Sequence, residues 1–206
     1  MAINKYEEMN EMERDVIREI GSIGNGNAAT ALSSMLEAKV KMTLPEVNIL
    51  EFNAAMNHLG DPEDVVAAIL VEMSGEIQGI MLFILTQDFA DEILKRMLGK
   101  DTVDFLALDE IDTSVLTEIG NIMISSYINA LSSLTNVNVV LSVPQLAVNM
   151  LGGILSLPMA TMGINSDRIM MITGEFKIDG RELNSDILLL PDVDSLNVLM
   201  KKLGVE

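Results

Sequence analysis

The stretch Glu19-Ile20-Gly21-Ser22 decides the fold, because it recurs 99 residues later as Glu118-Ile119-Gly120-Asn121 (118 − 19 = 99). The same offset relates two further pairs of dipeptides: Ala31-Leu32 with Ala130-Leu131, and Leu44-Pro45 with Val143-Pro144. Nearer the end the offset grows to 105, since Leu98-Gly99 corresponds to Leu203-Gly204 (203 − 98 = 105). The sequence therefore contains two copies of one structural unit, and the second is six residues longer (105 − 99 = 6).

Hydrophobic periodicity predicts the same order of elements in both copies. The first copy is expected to form a helix over 11–36, a strand over 39–52 broken at Pro45, and a hairpin of strands 65–74 and 77–86. A helix over 88–98 follows and ends at Gly99. The second copy is expected to form a helix over 110–134, strands over 137–143, 168–178 and 183–190, and a helix over 194–203 that ends at Gly204.

Each half is thus helix, strand, hairpin, helix, and short links of this kind predict antiparallel pairing. We expect an α+β fold in which the two pseudo-symmetric repeats form one antiparallel sheet with helices packed on it. No linker rich in Pro, Gly or Ser separates the halves. We therefore interpret residues 1–206 as a single domain, with repeat one at about 11–99 and repeat two at about 110–204.

Composition excludes several classes of function. A net charge of −18 leaves no basic surface for nucleic acid or for an anionic membrane. The absence of Cys removes disulfides, thiol nucleophiles and zinc–thiolate sites. The acidic N-terminus does not resemble a secretion signal, so a cytoplasmic protein is expected. The 49% of hydrophobic residues, with 16 Met and no Trp, predicts a large aliphatic core.

An uncharged segment runs from residue 122 to residue 166. Gly152, Gly153 and Pro158 interrupt its apolar part, and no clean run of about 20 apolar residues appears. We interpret the segment as buried strand and helix, with no insertion into a membrane. The part from Leu146 to Met162 is expected to form an apolar helix.

A polar stripe lies on each long helix. Residues three apart are separated by about 60° around a helix and residues four apart by about 40°. One stripe is therefore expected to contain Ser114, Glu118, Asn121 and Asn129, and its counterpart Asp15, Glu19, Ser22 and Thr30. A solvated helix face would explain a single stripe, but recurrence in register in both repeats favours two copies of one site.

This pattern resembles the CheC phosphatases of bacterial and archaeal chemotaxis, in which Asp or Ser, Glu and Asn occupy such a stripe on two pseudo-symmetric helices. The resemblance covers nearly the whole chain, through the segments EIGSIGNGNAATAL (19–32), EIGNIMISSYINAL (118–131), VPQLAVNM (143–150) and LLLPDVDSLNVLMKKLG (188–204). The related CheX type is shorter and usually keeps one site. The FliY type adds a flagellar-switch domain, for which 206 residues leave no room.

The resemblance implies hydrolysis of the aspartyl phosphate on the response regulator CheY. Glu118 would pair with a Lys of the receiver domain, and the Asn121 amide would orient the attacking water. Ser114 and Asn129 would support that face. Mg²⁺ would arrive on the phosphorylated receiver, so no intrinsic cofactor or metal is expected. Ser22 stands where the family usually has Asn, so the Asp15, Glu19 and Ser22 site is expected to be weak or inactive.

Two alternatives from other classes remain open. One is a non-catalytic regulator that binds CheD, a receptor deamidase, with the segment from Leu146 to Met162 as its candidate contact. Relatives often carry Asp where Asn149 lies, which weakens that expectation. The other is a structural module like the middle domain of the flagellar switch protein FliM. Because duplication supplies pairing within one chain, we expect a monomer.

Two further sequence features give little support for a function. Gly24, Gly26 and Ala29 match a dinucleotide-loop pattern, but that pattern needs a preceding strand and here follows a helix. His58 is the only histidine and the sequence has no Cys, so the other residues that a zinc site or a catalytic triad would need are missing. We interpret His58 as a loop residue.

Overall fold

The computed structural model of the chain describes residues 9–162 and 168–204. Within them lie six α-helices: α1 (Glu11–Met35), α2 (Phe52–Leu59), α3 (Gln87–Leu98), α4 (Glu110–Thr135), α5 (Leu151–Met162) and α6 (Val193–Leu203). The same residues contain eight strands: β1 (Val40–Met42), β2 (Glu46–Glu51), β3 (Val65–Gly75), β4 (Gly79–Leu85), β5 (Val139–Leu141), β6 (Gln145–Met150), β7 (Arg168–Ile178) and β8 (Arg181–Pro191).

Both long helices begin with the same capping arrangement. In α1 the Asn10 side chain accepts a hydrogen bond from the Glu13 N–H (3.1 Å), and the Glu13 carboxylate accepts one from the Asn10 N–H (2.7 Å). In α4, Asp109 and Asp112 make the equivalent pair of bonds at 2.9 and 3.2 Å. These capping boxes stand 99 residues apart (109 − 10 = 99). Local sequence therefore sets where each long helix starts.

The sheet joins the two repeats by exchanging their outer strands. Its order is β1-β7-β8-β4-β3-β5, with β2 also paired to β7 and β6 also paired to β3, and the described pairs are antiparallel. Thus β1 and β2 of repeat one pair with β7 of repeat two, and β5 and β6 of repeat two pair with β3 of repeat one. At the centre Leu82 of β4 pairs with Leu188 of β8.

Helices cover both faces of this sheet. The larger core lies under the four helices α1, α3, α4 and α6, which contribute residues such as Ile17, Phe89, Leu116 and Leu199. The smaller core lies under α2 and α5 on the opposite face and includes Leu82 and Leu188. The predicted α+β fold of two repeats with helices packed on one antiparallel sheet is confirmed in its architecture.

The short helices α2 and α5 differ from the expectation. Helix α2 was not predicted, because eight residues give little periodicity and Glu51 makes no side-chain cap. The apolar helix expected from Leu146 begins only at Leu151. Residues 145–150 instead form β6, because they pair with residues 65–70 of β3. The hairpins and the helices ending at Gly99 and Gly204 lie where the sequence predicts them.

Candidate active site

The polar stripe of α4 lies on the exposed side of that helix. Ser114, Glu118 and Asn129 are exposed, and Asn121 is half-buried. No ion pair joins Glu118 to any residue within 9–162 and 168–204. The carboxylate is therefore available to a cation brought by another molecule.

Ser125 adds a contact that the sequence pattern did not identify. Its hydroxyl donates a hydrogen bond to Oδ1 of Asn121 over 3.3 Å, one helical turn along α4. This bond leaves the amide nitrogen of Asn121 directed to other partners and limits rotation of the side chain. The spacing of four residues between Asn121 and Ser125 was the available signal for it.

The matching stripe of α1 has the same exposure but a different composition. Asp15, Glu19 and Thr30 are exposed and Ser22 is half-buried, as in α4. Asp15 forms an exposed ion pair with Arg18, whereas the equivalent of Arg18 in α4 is Thr117 (117 − 18 = 99). The first stripe thus has its acid and hydroxyl in place but no amide at the position of Asn121.

Gly21 and Gly120 set each motif directly on the sheet. A Cβ atom on Gly120 would lie 2.2 Å from Cγ1 of Ile69, and one on Gly21 would lie 3.0 Å from Cγ of Pro45 and 3.6 Å from Cγ2 of Ile172. Ile69 and Ile172 occupy equivalent positions of β3 and β7 (172 − 69 = 103; 178 − 75 = 103). Each Glu therefore stands on a part of the helix that the sheet supports from below.

The two long helices also touch each other closely. A Cβ atom on Gly24 would lie 3.1 Å from Cα of Tyr127, so α1 and α4 approach so closely that any side chain at residue 24 would push them slightly apart. The buried Tyr127 hydroxyl donates to Oδ1 of Asn25, and Nδ2 of Asn25 donates to the Thr43 carbonyl over 3.0 Å. Burial raises the pKa of Tyr127, so its hydroxyl stays protonated and remains a donor.

A polar groove of about 510 Å³ is lined by residues of both repeats, among them His58 and Asp186. The prediction that His58 lies in a loop is wrong, because it lies in the last turn of α2. The equivalent positions in the other half hold Leu157 and Leu82 (157 − 58 = 99; 186 − 82 = 104), since Asp186 pairs with Thr173 as Leu82 pairs with Leu70. Burial raises the pKa of Asp186 to about 6, and the charge of His58 partly opposes that shift.

Replacing Asp186 by Asn is expected to stabilise the protein at high pH only. Because burial raises its folded-state pKa from 3.8 to about 6, the contribution of the neutral carboxyl is complete below pH 3.8 and is lost as pH rises through about 6. We expect Asp186→Asn to raise the free energy of unfolding by about 2 kcal/mol at pH 8 and by about zero at pH 4. Urea unfolding across this range measures the difference.

The matched control is Glu63→Gln, which removes an exposed carboxylate in the turn before β3. It is expected to change stability by a similar small amount at each pH. A gain for Asp186→Asn that is equally large at pH 4 and at pH 8 would contradict the assignment of a buried, proton-binding carboxyl.

No helix among residues 9–162 and 168–204 is long and apolar enough to cross a membrane. Within the same part of the chain, no group of three or more His, Asp or Glu side chains is placed to hold a metal ion.

The family profile described as CheC-like matches residues 12–49 and 111–148, which are the two copies of the long helix and the strand and loop after it. The CheY-P phosphatase CheC of Bacillus subtilis is 31% identical over 198 residues, which cover 94% of this chain and 95% of that protein. The chain belongs to the CheC-like family. The resemblance inferred from the repeated motif is therefore confirmed.

Solved structures with the fold of this CheC-like chain include a FliY and the middle domain of a FliM. Thermotoga maritima FliY has a TM-score of 0.78 at 23% identity, covering 96% of this chain and 98% of that one. The FliM middle domain of Helicobacter pylori has a TM-score of 0.69 at 15% identity, covering 94% and 99%. At these identities the likeness concerns the fold alone.

Proposed function

We propose that this CheC-like chain is a protein phosphatase that hydrolyses the aspartyl phosphate of a CheY-type receiver domain. The observation that carries the proposal is the exposed Glu118, which stands three residues before Asn121 on a helix held against the sheet. The relative named CheY-P phosphatase, which aligns over 94% of the chain, supports the same reaction.

The reaction needs positioning and charge stabilisation more than new covalent chemistry. Water attacks the phosphorus in line with the bond to the aspartyl oxygen, that bond breaks, and inorganic phosphate and a free carboxylate leave. The proton of the water goes to the phosphate or to solvent. The receiver brings the Mg²⁺ and a Lys that neutralise the phosphoryl oxygens, so the phosphatase needs no metal of its own.

Two side chains of α4 would supply what the receiver lacks. The Glu118 carboxylate would pair with the receiver Lys and fix the docking position. The Asn121 amide would bind the water, since an amide can both donate and accept a hydrogen bond. Ser125 supports this role because its bond to Oδ1 restricts the orientations of the amide. Ser114 and Asn129 would contact the partner along the same exposed face.

The first half would contribute little turnover. Ser22 offers a hydroxyl where Asn121 offers a planar amide, and its side chain is shorter, so it does not reach a water held by Asn at the same position. Glu19 keeps the exposure of Glu118. We therefore assign catalysis to the second half.

Specific observations give less support to the two alternatives, a CheD-binding regulator and a structural module like FliM. The apolar side chains Leu151, Ile154 and Leu155 of α5 are buried against the sheet, so packing accounts for much of the segment expected to contact CheD. Binding of CheD at the rest of that segment stays a prediction. Likeness to the FliM middle domain concerns the fold and does not explain an exposed Glu118 beside Asn121.

The test follows loss of phosphate from a phosphorylated CheY-type receiver with Mg²⁺ present, with and without the chain. We expect at least about a tenfold faster loss when the chain is added, in line with the positioning of one water. An unchanged rate, with CheD present and with CheD absent, would overturn the proposal and leave a binding protein.

A further inference from the structure

The polar groove of about 510 Å³ opens on the sheet where helix α2 ends, and His58 and Leu59 of its last turn form one wall. Helix α2 has 8 residues and α5 has 12, although both begin at equivalent positions (151 − 52 = 99). The offset between the repeats grows from 99 at these helices to 103 at the strands that follow them (172 − 69 = 103), by the four residues that α2 lacks (12 − 8 = 4). The groove is therefore built by a difference between the two repeats.

Neighbouring strands build the floor and one rim of the groove. Asp186 of β8 pairs with Thr173 of β7, and Thr173 pairs with Glu46 of β2. Paired residues of antiparallel strands point to the same face, so these three side chains form one row across three strands. Because neighbouring strands are about 4.8 Å apart, the Cα atoms of the two acidic residues lie about 10 Å apart with Thr173 between them. In the next row Asn184 pairs with Glu175.

The other half has apolar residues at three of these floor positions. The strand register relates Thr173 to Leu70, Asp186 to Leu82 and Asn184 to Ile80 (173 − 70 = 103; 186 − 82 = 104; 184 − 80 = 104). Leu82 and Ile80 are buried in the smaller core, and Leu70 packs against it. Positions that fill a core in one repeat thus line an open polar cavity in the other.

The lining of the groove is rich in hydrogen-bond acceptors. The Thr86 hydroxyl donates to the Asn184 carbonyl over 3.5 Å. The Thr173 hydroxyl likewise donates to the Glu46 carbonyl over 3.5 Å, so both protons are directed to backbone atoms. Three carboxylates, which are acceptors only when ionised, line the same cavity: Glu46, Glu175 and Asp186. A ligand that matches this lining carries a positive charge and several N–H donors.

Asp186 is the least accessible of the three carboxylates. It is half-buried, whereas Glu46 and Glu175 are exposed. In the part of the chain that the structure describes, burial raises the pKa of Asp186, the charge of His58 acts in the opposite direction, and no hydrogen bond to the carboxylate contributes. A carboxylate withdrawn from water without a donor is unfavourable, so a ligand that brings N–H donors to the floor gains binding energy there.

We propose that this groove is a binding site for a guanidinium group. The group lies above Thr173, between the carboxylates of Asp186 and Glu46. A guanidinium presents several N–H donors in one plane and can donate to acceptors on neighbouring strands, whereas an ammonium group acts as a point charge. Binding here is independent of the proposed phosphatase activity, because α4 contributes none of the described residues that line the groove.

An NMR titration of the isotope-labelled full chain tests the proposal. The probes are Nα-acetyl-arginine amide and Nα-acetyl-citrulline amide, which has nearly the same shape and no charge. Salt at about 0.15 M screens long-range attraction to the net charge of −18. At pH 8, where Asp186 is ionised, the arginine probe is expected to shift the amide signals of residues 173, 184 and 186. It is expected to bind at least about tenfold more tightly than the citrulline probe.

Two variants and a matched control locate the site. Asp186→Asn is expected to weaken binding of the arginine probe by about tenfold at pH 8. Glu175→Gln is expected to weaken it by about threefold, since its carboxylate is exposed. Glu72→Gln makes the same change at the equivalent exposed position of the other half (175 − 72 = 103) and is expected to leave the affinity unchanged.

Two further probes distinguish the sources of a guanidinium group. Tighter binding of agmatine than of a capped Gly-Arg-Gly peptide would support a free small molecule, and the reverse would support an arginine side chain of a partner protein. Equal affinity for the arginine and citrulline probes would overturn the proposal. So would an affinity that Asp186→Asn leaves unchanged, or equal binding of Nα-acetyl-lysine amide, which would replace the guanidinium assignment with a general attraction of cations.

Discussion

Asn121→Ala is expected to slow dephosphorylation of a CheY-type receiver by about a hundredfold. The reason is that the alanine side chain can neither donate to nor accept from the attacking water, whereas the receiver still brings its own Mg²⁺ and Lys. The loss should appear in the turnover rate at saturating receiver. Measurement of phosphate release over a range of receiver concentrations separates kcat from KM.

Binding should survive this substitution. Glu118 remains to pair with the receiver Lys, so affinity for a receiver loaded with beryllium fluoride, which mimics the phosphoryl group, is expected to change by no more than about threefold. Asn27→Ala is the control, because it makes the same change at an exposed Asn of α1 outside the stripe, and it should keep full turnover. Activity that survives Asn121→Ala but is lost in Glu19→Ala would place catalysis in the first half instead.

Gly120→Ala is expected to lower the free energy of unfolding by about 3 kcal/mol, the upper end of what overpacking usually costs. The new Cβ atom would lie 2.2 Å from Cγ1 and 2.6 Å from Cβ of Ile69, a side chain with no exposed area in the middle of β3. A β-branched residue has few rotamers to adopt, so helix and sheet must separate. Calorimetry should show a melting temperature about 10 °C lower.

Gly26→Ala is the matched control on the other long helix. No atom lies within 4 Å of a Cβ built on Gly26, which is exposed. Replacing a helical Gly by Ala at such a site is expected to stabilise the protein by about 0.5–1 kcal/mol. Equal effects of the two substitutions would show that helix propensity, and not contact with Ile69, dominates at Gly120.

The local sequence carries much of this fold. The capping residues Asn10 and Asp109, the terminal glycines Gly99 and Gly204, and the period-two strands act over a few residues, so they could be recognised without knowing the tertiary structure. The exchange of outer strands could not be recognised, because the apolar alternation of β1 or β6 does not specify which strand it pairs with.

The candidate site also has parts that the sequence predicts and parts that it does not. The exposed stripe of Glu118 and Asn121 follows from helical spacing and from its recurrence in α1, while its catalytic role stays a proposal. Ser125 was missed because a Ser in a helix more often bonds to its own backbone. His58 and Asp186 line the same groove because α2 places His58 there. That helix is too short to be predicted from the sequence.

The exchanged strands also constrain how the chain folds as it is made. Val40 pairs with Ile178, a separation of 138 residues (178 − 40 = 138). Contacts between such distant positions must close a long loop before they are formed, and they slow folding. The loop of residues 43–45 pairs with Glu175 and therefore cannot reach its final place until β7 has been synthesised, so the first motif is finished only when nearly the whole chain has left the ribosome. The second motif rests on Ile69, which is synthesised before it.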